Sequence, residues 1–282
     1  MFERFSRSWS LVKASADVLR QDKELLVFPL LSTIAALLVA ATFIAPAIGL
    51  GWIGQLEEQQ GFSPLMAAYG FLFYLVQYFV IFYFNTALVG AAMIRLDGGD
   101  PTVGDGLRIA GSKLGPILGY AALAATVGMI LRAIQERAGF IGRWVAGLLG
   151  LAWTVATFLV VPVLVTRDVG PVDAVKESAM LLKKTWGENI AGQAGLGLAF
   201  GLIQFGIIIG GILLVVAAAM TQNMPLTILT AALVVVAVLV TALIHAALAG
   251  IYSAALYRYA SGGEDTAGFN TAVLRQAFLP AK

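Results

Sequence analysis

Side chains capable of acid–base, nucleophilic or metal chemistry are scarce in this sequence, and almost all of them lie outside its apolar segments. The chain has one His, His245, and no Cys, which excludes disulfides, thiolate metal sites and cysteine nucleophiles. His245 is the only readily titratable side chain deep in an apolar segment, and an ionisable residue inside a membrane is a functional candidate by default. A metal site would need further His or carboxylate ligands, and the apolar segments supply none. The competing interpretation of His245 is a structural hydrogen bond.

Carboxylate catalysis would have to use the acidic residues of the polar segments. The candidates are Asp97, Asp100, Asp105, Asp168 and Asp173. Aspartates just before a helix and in its first turn also act as caps and complement the helix dipole. These aspartates have no His or Cys nearby in the sequence. We therefore expect a non-catalytic protein that needs no metal and no other cofactor.

Two glycine-rich segments resemble nucleotide-binding motifs but lack the required context. Residues 49–54 fit the pattern G-x-G-x-x-G, yet they close an apolar segment and no strand–helix–strand unit surrounds them. Residues 106–113 fall short of a phosphate-binding loop, because the Lys comes one place late and no Ser or Thr follows it. A net charge of +2 without a run of Lys or Arg also excludes nucleic acid as an expected partner.

The composition is typical of a protein with several membrane-spanning helices. Hydrophobic residues make up 60% of the 282 residues and charged residues 12%, where a soluble domain has about 25% charged residues. About 20 consecutive apolar residues cross a bilayer as a helix. The charge-free stretches predict six spans, at 25–54, 65–94, 114–131, 144–166, 190–220 and 226–257. The predicted fold class is an all-α, polytopic membrane protein.

The distribution of Lys and Arg predicts the orientation of these spans. Fifteen of the 18 basic residues fall on the side that carries both termini, and cytoplasmic segments carry the excess of Lys and Arg. The opposite side has only Arg132, Arg137 and Arg143. Both termini are therefore expected in the cytoplasm. The third span, at 18 residues, is the shortest, and a re-entrant segment there would break the even number of spans.

Internal similarity predicts a threefold repeat within a single membrane domain, 1–282. Residues 12–20 (V-K-A-S-A-D-V-L-R) and 175–183 (V-K-E-S-A-M-L-L-K) share five identities at the same offsets, and 107–114 is a weaker copy. Each copy precedes a pair of spans. The predicted units are approximately 1–94, 95–166 and 167–257, followed by a tail, 258–282. All three units begin on the same side, so the repeats are parallel.

The repeated segment has the pattern of an amphipathic helix at the cytoplasmic surface. Apolar residues recur at helical spacing from Phe2 to Leu19 and from Val172 to Trp186, with basic residues on the remaining face. Such a helix lies in the headgroup plane, or its apolar face packs on the protein's own spans; both alternatives remain open. The candidate lipid-surface residues are Phe2, Arg4, Phe5, Arg7, Trp9, Lys13, Arg20, Lys176, Lys183, Lys184 and Trp186.

Glycines one turn apart predict close helix packing. Small residues at this spacing let helix backbones approach in a bilayer. The pairs are Gly115 and Gly119, Gly197 and Gly201, and Gly206 and Gly210. Two of the three pairs lie on the fifth span, which we therefore expect to be buried. The second span has aromatic residues on all sides, and this pattern favours a helix that faces lipid.

Several stretches of the chain resemble an uncharacterised group of bacterial and archaeal six-span membrane proteins, a domain of unknown function. They are F-S-R-S-W-S-L-V-K-A-S (5–15), D-P-T-V-G-D-G-L-R (100–108), A-L-Y-R-Y-A (255–260) and G-F-N-T-A-V-L-R-Q-A-F (268–278). The resemblance implies a multi-pass protein of the plasma (inner) membrane without an established activity. The layout is also distantly similar to the membrane domain attached to some glycerophosphodiester phosphodiesterases, but their carboxylate and His constellation is absent, so that activity does not follow.

The sequence predicts a non-catalytic membrane scaffold that interacts with lipids or proteins. Its expected partners are membrane lipids and a second copy of the chain or another membrane protein. The alternative is a channel or transporter for a neutral or apolar solute. Proton or sodium coupling usually requires carboxylates inside the membrane, and the predicted spans have none between their ends.

Overall fold

The computed structural model describes residues 13–49, 64–137, 139–184 and 186–262, without the side chains at 137, 140–141, 184, 186–196 and 198–199. These ranges are helical almost throughout and contain no β-strand. The helices are α1 (described over residues 13–21), α2 (Val27–Gly49), α3 (Pro64–Leu96), α4 (Val103–Ser112), α5 (Leu114–Arg137), α6 (Phe140–Ala156), α7 (Val160–Thr166), α8 (Pro171–Lys184), α9 (Trp186–Met220) and α10 (Met224–Ala260). A 3-10 turn, Lys23–Leu26, joins α1 to α2.

Six segments are long and apolar enough to cross a membrane, which confirms the predicted number of spans by length and composition. They are Lys23–Gly49, Pro64–Leu96, Leu114–Glu136, Gly142–Thr166, Phe200–Met220 and Met224–Ala260. The third span is longer than the sequence indicated, because α5 continues past residue 131 to Arg137. Its 24 residues rise about 36 Å at 1.5 Å each, which exceeds the thickness of the hydrocarbon core, about 30 Å.

The hydrophobic core lies at one end of the helices. We call this end, which carries residues 13–26, 95–113, 167–184 and 258–262, the charged end. The largest fully buried side chains are Leu25, Phe28, Leu96, Ile117, Leu159, Leu164, Ile251, Tyr252 and Leu256. Toward the opposite end the spans expose large apolar side chains, such as Leu38, Leu148 and Leu213. A bilayer solvates such surfaces, so the spans pack tightly at the charged end and loosely beyond it.

Helix α3 is the centre of this arrangement. It contacts α2, α4, α5, α7 and α10, and its stretch Thr86–Met93 is buried on every side. The expectation that the second span faces lipid is therefore wrong for Thr86–Met93. The stretch 64–84, which carries the aromatic residues, has only partly buried or exposed side chains. Some of its rings also contact neighbouring helices, since the ring of Phe82 lies 4.4 Å from the Tyr120 ring of α5 and Phe73 packs against Phe43 of α2.

The fifth span is the reverse case. Its described side chains in α9 are mostly exposed, so the expectation of a buried fifth helix is wrong for residues 200–220. A Cβ atom added at five of the six predicted packing glycines would meet no described atom within 4 Å; these are Gly115, Gly197, Gly201, Gly206 and Gly210. Gly119 is the exception and lies against Pro171, while Gly211 contacts Val234 of α10. Within the described chain, close approach in the core occurs at other glycines, since a Cβ atom at Gly106 or Gly250 would overlap the side chain of Phe28 or Leu88, respectively.

Ion pairs connect different helices at the charged end. Arg95, at the end of α3, lies 3.3 Å from Asp22 and 2.8 Å from Asp100. Arg258, at the end of α10, pairs with Asp97. Asp22 is only 5% exposed, and a buried carboxylate without its partner costs several kcal/mol. The Arg95–Asp22 pair therefore fixes the position of α1 relative to α3.

Two further pairs connect the start of α5 to the segment after α7, and that segment to α8. Lys113, between α4 and α5, lies 3.3 Å from Asp168, and Arg167 lies 2.9 Å from Glu177 of α8. Several of the basic residues that the sequence places on one side of the membrane thus also form ion pairs with other elements of the fold.

Candidate intramembrane binding site

The structure separates the predicted site residues from one another. His245 lies half-exposed on α10, where its ring stacks on Phe200 at 4.9 Å. The described residues contain no cluster of His, Asp and Glu that could hold a metal ion. Phe2, Arg4, Phe5, Arg7 and Trp9 lie outside the described residues, as do the side chains of Lys184 and Trp186. Lys13, Arg20, Lys176 and Lys183 are exposed at the charged end.

The described parts of the repeated segments bury one face against the chain's own helices. In α1 the buried residues include Ser15, Val18 and Leu19, and in α8 they include Ala174, Ser178, Leu181 and Leu182. This face is rotated from the predicted one, since Val172 is 52% exposed. The neighbours of this face are core residues of the spans. In the described parts of α1 and α8, the apolar face therefore packs on the protein's own spans.

The aspartates considered as catalytic candidates take part in local structure. Thr102 caps α4 by accepting a hydrogen bond from the backbone N–H of Asp105, and the Asp105 carboxylate accepts from the Thr102 hydroxyl at 2.7 Å and from its N–H at 3.1 Å. These hydrogen bonds, first that of the hydroxyl, hold the pKa of Asp105 below its ordinary value. Asp173 pairs with Lys176 within α8. Each therefore has a structural role of the kind that caps and first-turn acids supply.

The fourth span is broken inside the membrane. Helix α6 ends at Ala156 and α7 begins at Val160, with the turn 157–159 between them. The hydroxyl of Ser178, from α8, accepts a hydrogen bond from the N–H of Leu159 at 3.0 Å and donates one to the carbonyl of Ala156 at 2.7 Å. A helix break leaves backbone groups without partners, which is costly in hydrocarbon. Ser178 supplies partners for two of them.

A cavity of about 320 Å³ lies among α2, α3 and α10, beside this break. Most of its lining is apolar. The lining residues are Phe28, Pro29, Ser32, Ile81, Phe84, Asn85, Leu88, Phe158, Ala246, Ala249, Gly250 and Ser253. Phe158 comes from the turn between α6 and α7, so the broken span forms part of the wall. No charged residue contributes to the described lining.

Three polar side chains line the cavity, and Asn85 is the only amide among them. Ser253 donates its hydroxyl proton to the carbonyl of Gly250 at 2.8 Å, and Ser32 carries a second hydroxyl. The Asn85 amide makes no hydrogen bond to any described residue. Ten residues of α3, about 15 Å of helix, separate Asn85 from Arg95. The amide is therefore well inside the hydrocarbon region, where an unpaired polar group is unfavourable.

This arrangement can bind an uncharged polar group attached to an apolar one. The amide can donate to a carbonyl or accept from a hydroxyl, while the aromatic and aliphatic side chains contact the apolar part. From the sequence, Asn85 is most simply an interhelical hydrogen-bond partner, because nothing in the sequence shows which neighbour it meets. The only available signal was that Asn85 is a rare amide in a charge-free span.

A comparison with protein-family models gives a match. The model of a family described as a family of unknown function, DUF6159, matches residues 65–269. The matched segment runs from the start of α3 past the end of α10, and it includes Asn85, Ser178 and Ser253. No curated protein matches the chain.

Proposed function

The chain belongs to this family of unknown function, and we propose that it is a non-catalytic, lipid-binding protein of the plasma membrane. The cavity among α2, α3 and α10 holds one lipid, with an ester carbonyl or a hydroxyl of that lipid hydrogen-bonded to Asn85. The six apolar spans support the membrane location. The unpaired Asn85 amide, which faces a cavity inside the membrane, is the observation on which the proposal rests.

The chemistry of the lining selects the class of ligand. An amide that leaves water must find a hydrogen-bond partner, or it costs about 1–3 kcal/mol by mutational measures. The described lining contains no charge, so a phosphate or carboxylate would be buried there without a counter-ion. An ester carbonyl at the upper end of an acyl chain meets both conditions. Ser253, five residues and about 8 Å inside Arg258, lies where the ester region of a bilayer begins.

The orientation and the scaffold role belong to the same proposal. The charged end faces the cytoplasm, supported by the excess of Lys and Arg on that side. Exposed Lys13, Arg20, Lys176 and Lys183 are then placed to attract anionic headgroups. The packing glycines that meet no described atom are available to a second copy of the chain or to another membrane protein.

A threefold plan is supported by burial at corresponding positions. In the alignment of the three repeated segments, Ser15, Ala110 and Ser178 occupy the same place. Each of the three is 0% exposed. Identical burial at one position of α1, α4 and α8 is expected if the three units pack in the same way.

A transporter for a neutral solute is the second candidate, and the broken fourth span favours it. Interrupted helices surround the binding sites of many transporters, and Phe158 of the break lines the cavity. The two functions differ in what crosses the membrane. A transporter moves its solute through protein-containing liposomes, whereas a lipid-binding scaffold retains a lipid without flux.

The experiment is native mass spectrometry of the full chain released from bilayer nanodiscs of defined phospholipids. We expect one lipid retained by the wild type and lost in Asn85→Leu, which removes the amide. The matched control is Gln77→Leu. Gln77 carries an amide on the same helix, but it does not line the cavity, and its side-chain carbonyl oxygen is buried without a described partner. This variant should keep the lipid. Ala249→Trp should displace the lipid by filling the cavity. Equal retention in Asn85→Leu, Ala249→Trp and the wild type would refute the proposal.

A further inference from the structure

A second polar cluster lies where α3 and α5 meet, far from the charged end. The guanidinium of Arg132 donates to the Glu136 carboxylate at 2.7 Å and to the Tyr74 hydroxyl at 2.9 Å. These two bonds use two of its five N–H groups. The remaining three make no hydrogen bond within the described residues. The cluster therefore holds a cation and an anion side by side, with donors left over.

The cluster forms the polar wall of a cavity of about 380 Å³. Tyr78 and Gln135 add a phenol and an amide to it. The lining residues are Tyr74, Tyr78, Ala125, Gly128, Met129, Leu131, Arg132, Gln135 and Glu136. The rings of Tyr74 and Tyr78 stack at 6.2 Å. Gly128 lies beside the phenol, since a Cβ atom there would be 3.4 Å from the Tyr78 hydroxyl, an ordinary contact.

The depth of the cluster matches the headgroups of the leaflet opposite the charged end. Along α3, Tyr74 lies 21 residues from Arg95, which is about 32 Å of helix. Along α5, Arg132 lies 19 residues from Lys113, about 29 Å. Both distances equal the thickness of a hydrocarbon core, about 30 Å. Two helices thus place this cavity one bilayer away from the ion pairs of the charged end.

We infer that this cavity is a binding site for a zwitterionic phospholipid headgroup, a phosphate joined to an ammonium group. The unused N–H groups of Arg132 bind the phosphate in the charge-assisted geometry that guanidinium favours. Glu136 binds the ammonium, on a wall to which Tyr74 and Tyr78 also contribute. Ala125 and Met129 contact the upper part of an acyl chain.

The carboxylate decides between zwitterionic and anionic lipids. A site that selected anionic headgroups would present Arg132 without a carboxylate on the same wall, because Glu136 repels a second negative group. Here the charges of Arg132 and Glu136 balance, and a zwitterion is complementary to both. This site shares no lining residue with the cavity at Asn85, so its test is independent of the proposed function.

The test measures lipid binding to the purified full chain by native mass spectrometry in detergent. Phosphatidylethanolamine and phosphatidylglycerol with identical chains are titrated separately. We expect the wild type to bind phosphatidylethanolamine at least tenfold more tightly. Arg132→Gln should weaken its binding at least tenfold, and Glu136→Gln should abolish the preference by improving phosphatidylglycerol binding. Gly128→Leu should block both lipids by filling the cavity while leaving every charge in place.

The control is Arg143→Gln, which removes an exposed arginine that lines a different cavity on the same predicted side of the membrane. It should leave the preference unchanged. Glycerophosphoethanolamine carries the headgroup without acyl chains, and it should compete only weakly with phosphatidylethanolamine. Strong competition would assign the site to a soluble phosphate compound and overturn the lipid proposal. Equal binding of the two lipids by the wild type, or the same loss in Arg143→Gln as in Arg132→Gln, would also overturn it.

Discussion

The serine that bridges the broken fourth span provides a test of how the spans are held together. Ser178 is fully buried, and its hydroxyl bonds the Leu159 N–H and the Ala156 carbonyl. Ser178→Ala leaves both backbone groups without this partner. Each buried group left unpaired costs about 1–3 kcal/mol. The Ala156 bond is only partly buried, so we expect a total of about 2–3 kcal/mol.

The first repeated segment contains a matched control. Ser15 occupies the position that corresponds to Ser178 and is also fully buried. Its hydroxyl, however, has no hydrogen-bond partner among the described residues. Ser15→Ala therefore removes a buried polar atom that nothing in the described chain satisfies, which is neutral or slightly stabilising. The two substitutions delete the same atom from the same position of the repeat, and only one of them breaks hydrogen bonds.

The assay is thermal unfolding of the full chain in detergent, followed by size-exclusion chromatography of heated samples. At roughly 2–4 °C per kcal/mol for chains of this size, Ser178→Ala should lower the midpoint by roughly 4–12 °C. Ser15→Ala should move it by less than about 2 °C. Hydrogen exchange at the Leu159 amide should accelerate only in Ser178→Ala. Equal midpoint shifts in the two variants, or unchanged exchange at Leu159, would refute the bridging role.

Two further predictions concern α4. In Gly106→Ala the new methyl group would meet the carbonyl oxygen of Ala87 at 2.7 Å, and this backbone contact should cost about 1–3 kcal/mol. Gly111→Ala, with nothing within 4 Å, should stabilise the protein by about 0.5–1 kcal/mol through helix propensity. The midpoint of thermal unfolding should therefore fall in the first variant and rise in the second. Thr102 lowers the pKa of Asp105, so the N-terminus of α4 gains stability from the ionised carboxylate. This stability is fully present above the ordinary carboxyl pKa and is lost as pH falls through the lowered pKa. Thr102→Ala should raise the pKa of Asp105, as read from the pH dependence of amide exchange in α4; an unchanged midpoint of that pH dependence would contradict this.

The number and approximate positions of the spans could be predicted because they depend on composition. Charge-free stretches of sufficient length have few alternatives to a membrane helix, and the six spans of the structure agree with the six predicted. The start of α4 also has a local cause, since Thr102 and Asp105 stand at capping-box spacing. These features are local, so neighbouring residues in the sequence determine them.

The faces of the spans could not be predicted for the opposite reason. Helical periodicity identifies a buried face only where the other face is polar, and the spans are apolar on both faces. The aromatic residues of α3 therefore looked like lipid contacts, yet some of them also contact a neighbouring helix, as Phe82 against Tyr120 shows. The glycines of α9 looked like packing positions, and Gly206 meets no described atom. Identifying Asn85 as a cavity residue required knowing which helices flank α3, and that information is tertiary.

The uneven packing explains why both proposed sites lie on α3. At the charged end, ion pairs and a dense core fix α3 against its neighbours. Farther along, α3 keeps single contacts such as Phe82 with Tyr120, but its packing is looser, so the cavity at Asn85 opens where the core ends and the cavity at Tyr74 opens near the other end of the helix. The buried stretch Thr86–Met93 follows both Asn85 and Tyr74 along α3, and the ion pairs of the charged end hold the helix just beyond it. If a lipid occupies each site as proposed, it would supply contacts where the helices pack loosely, and lipid binding would then contribute to the stability of the fold as well as to the proposed function.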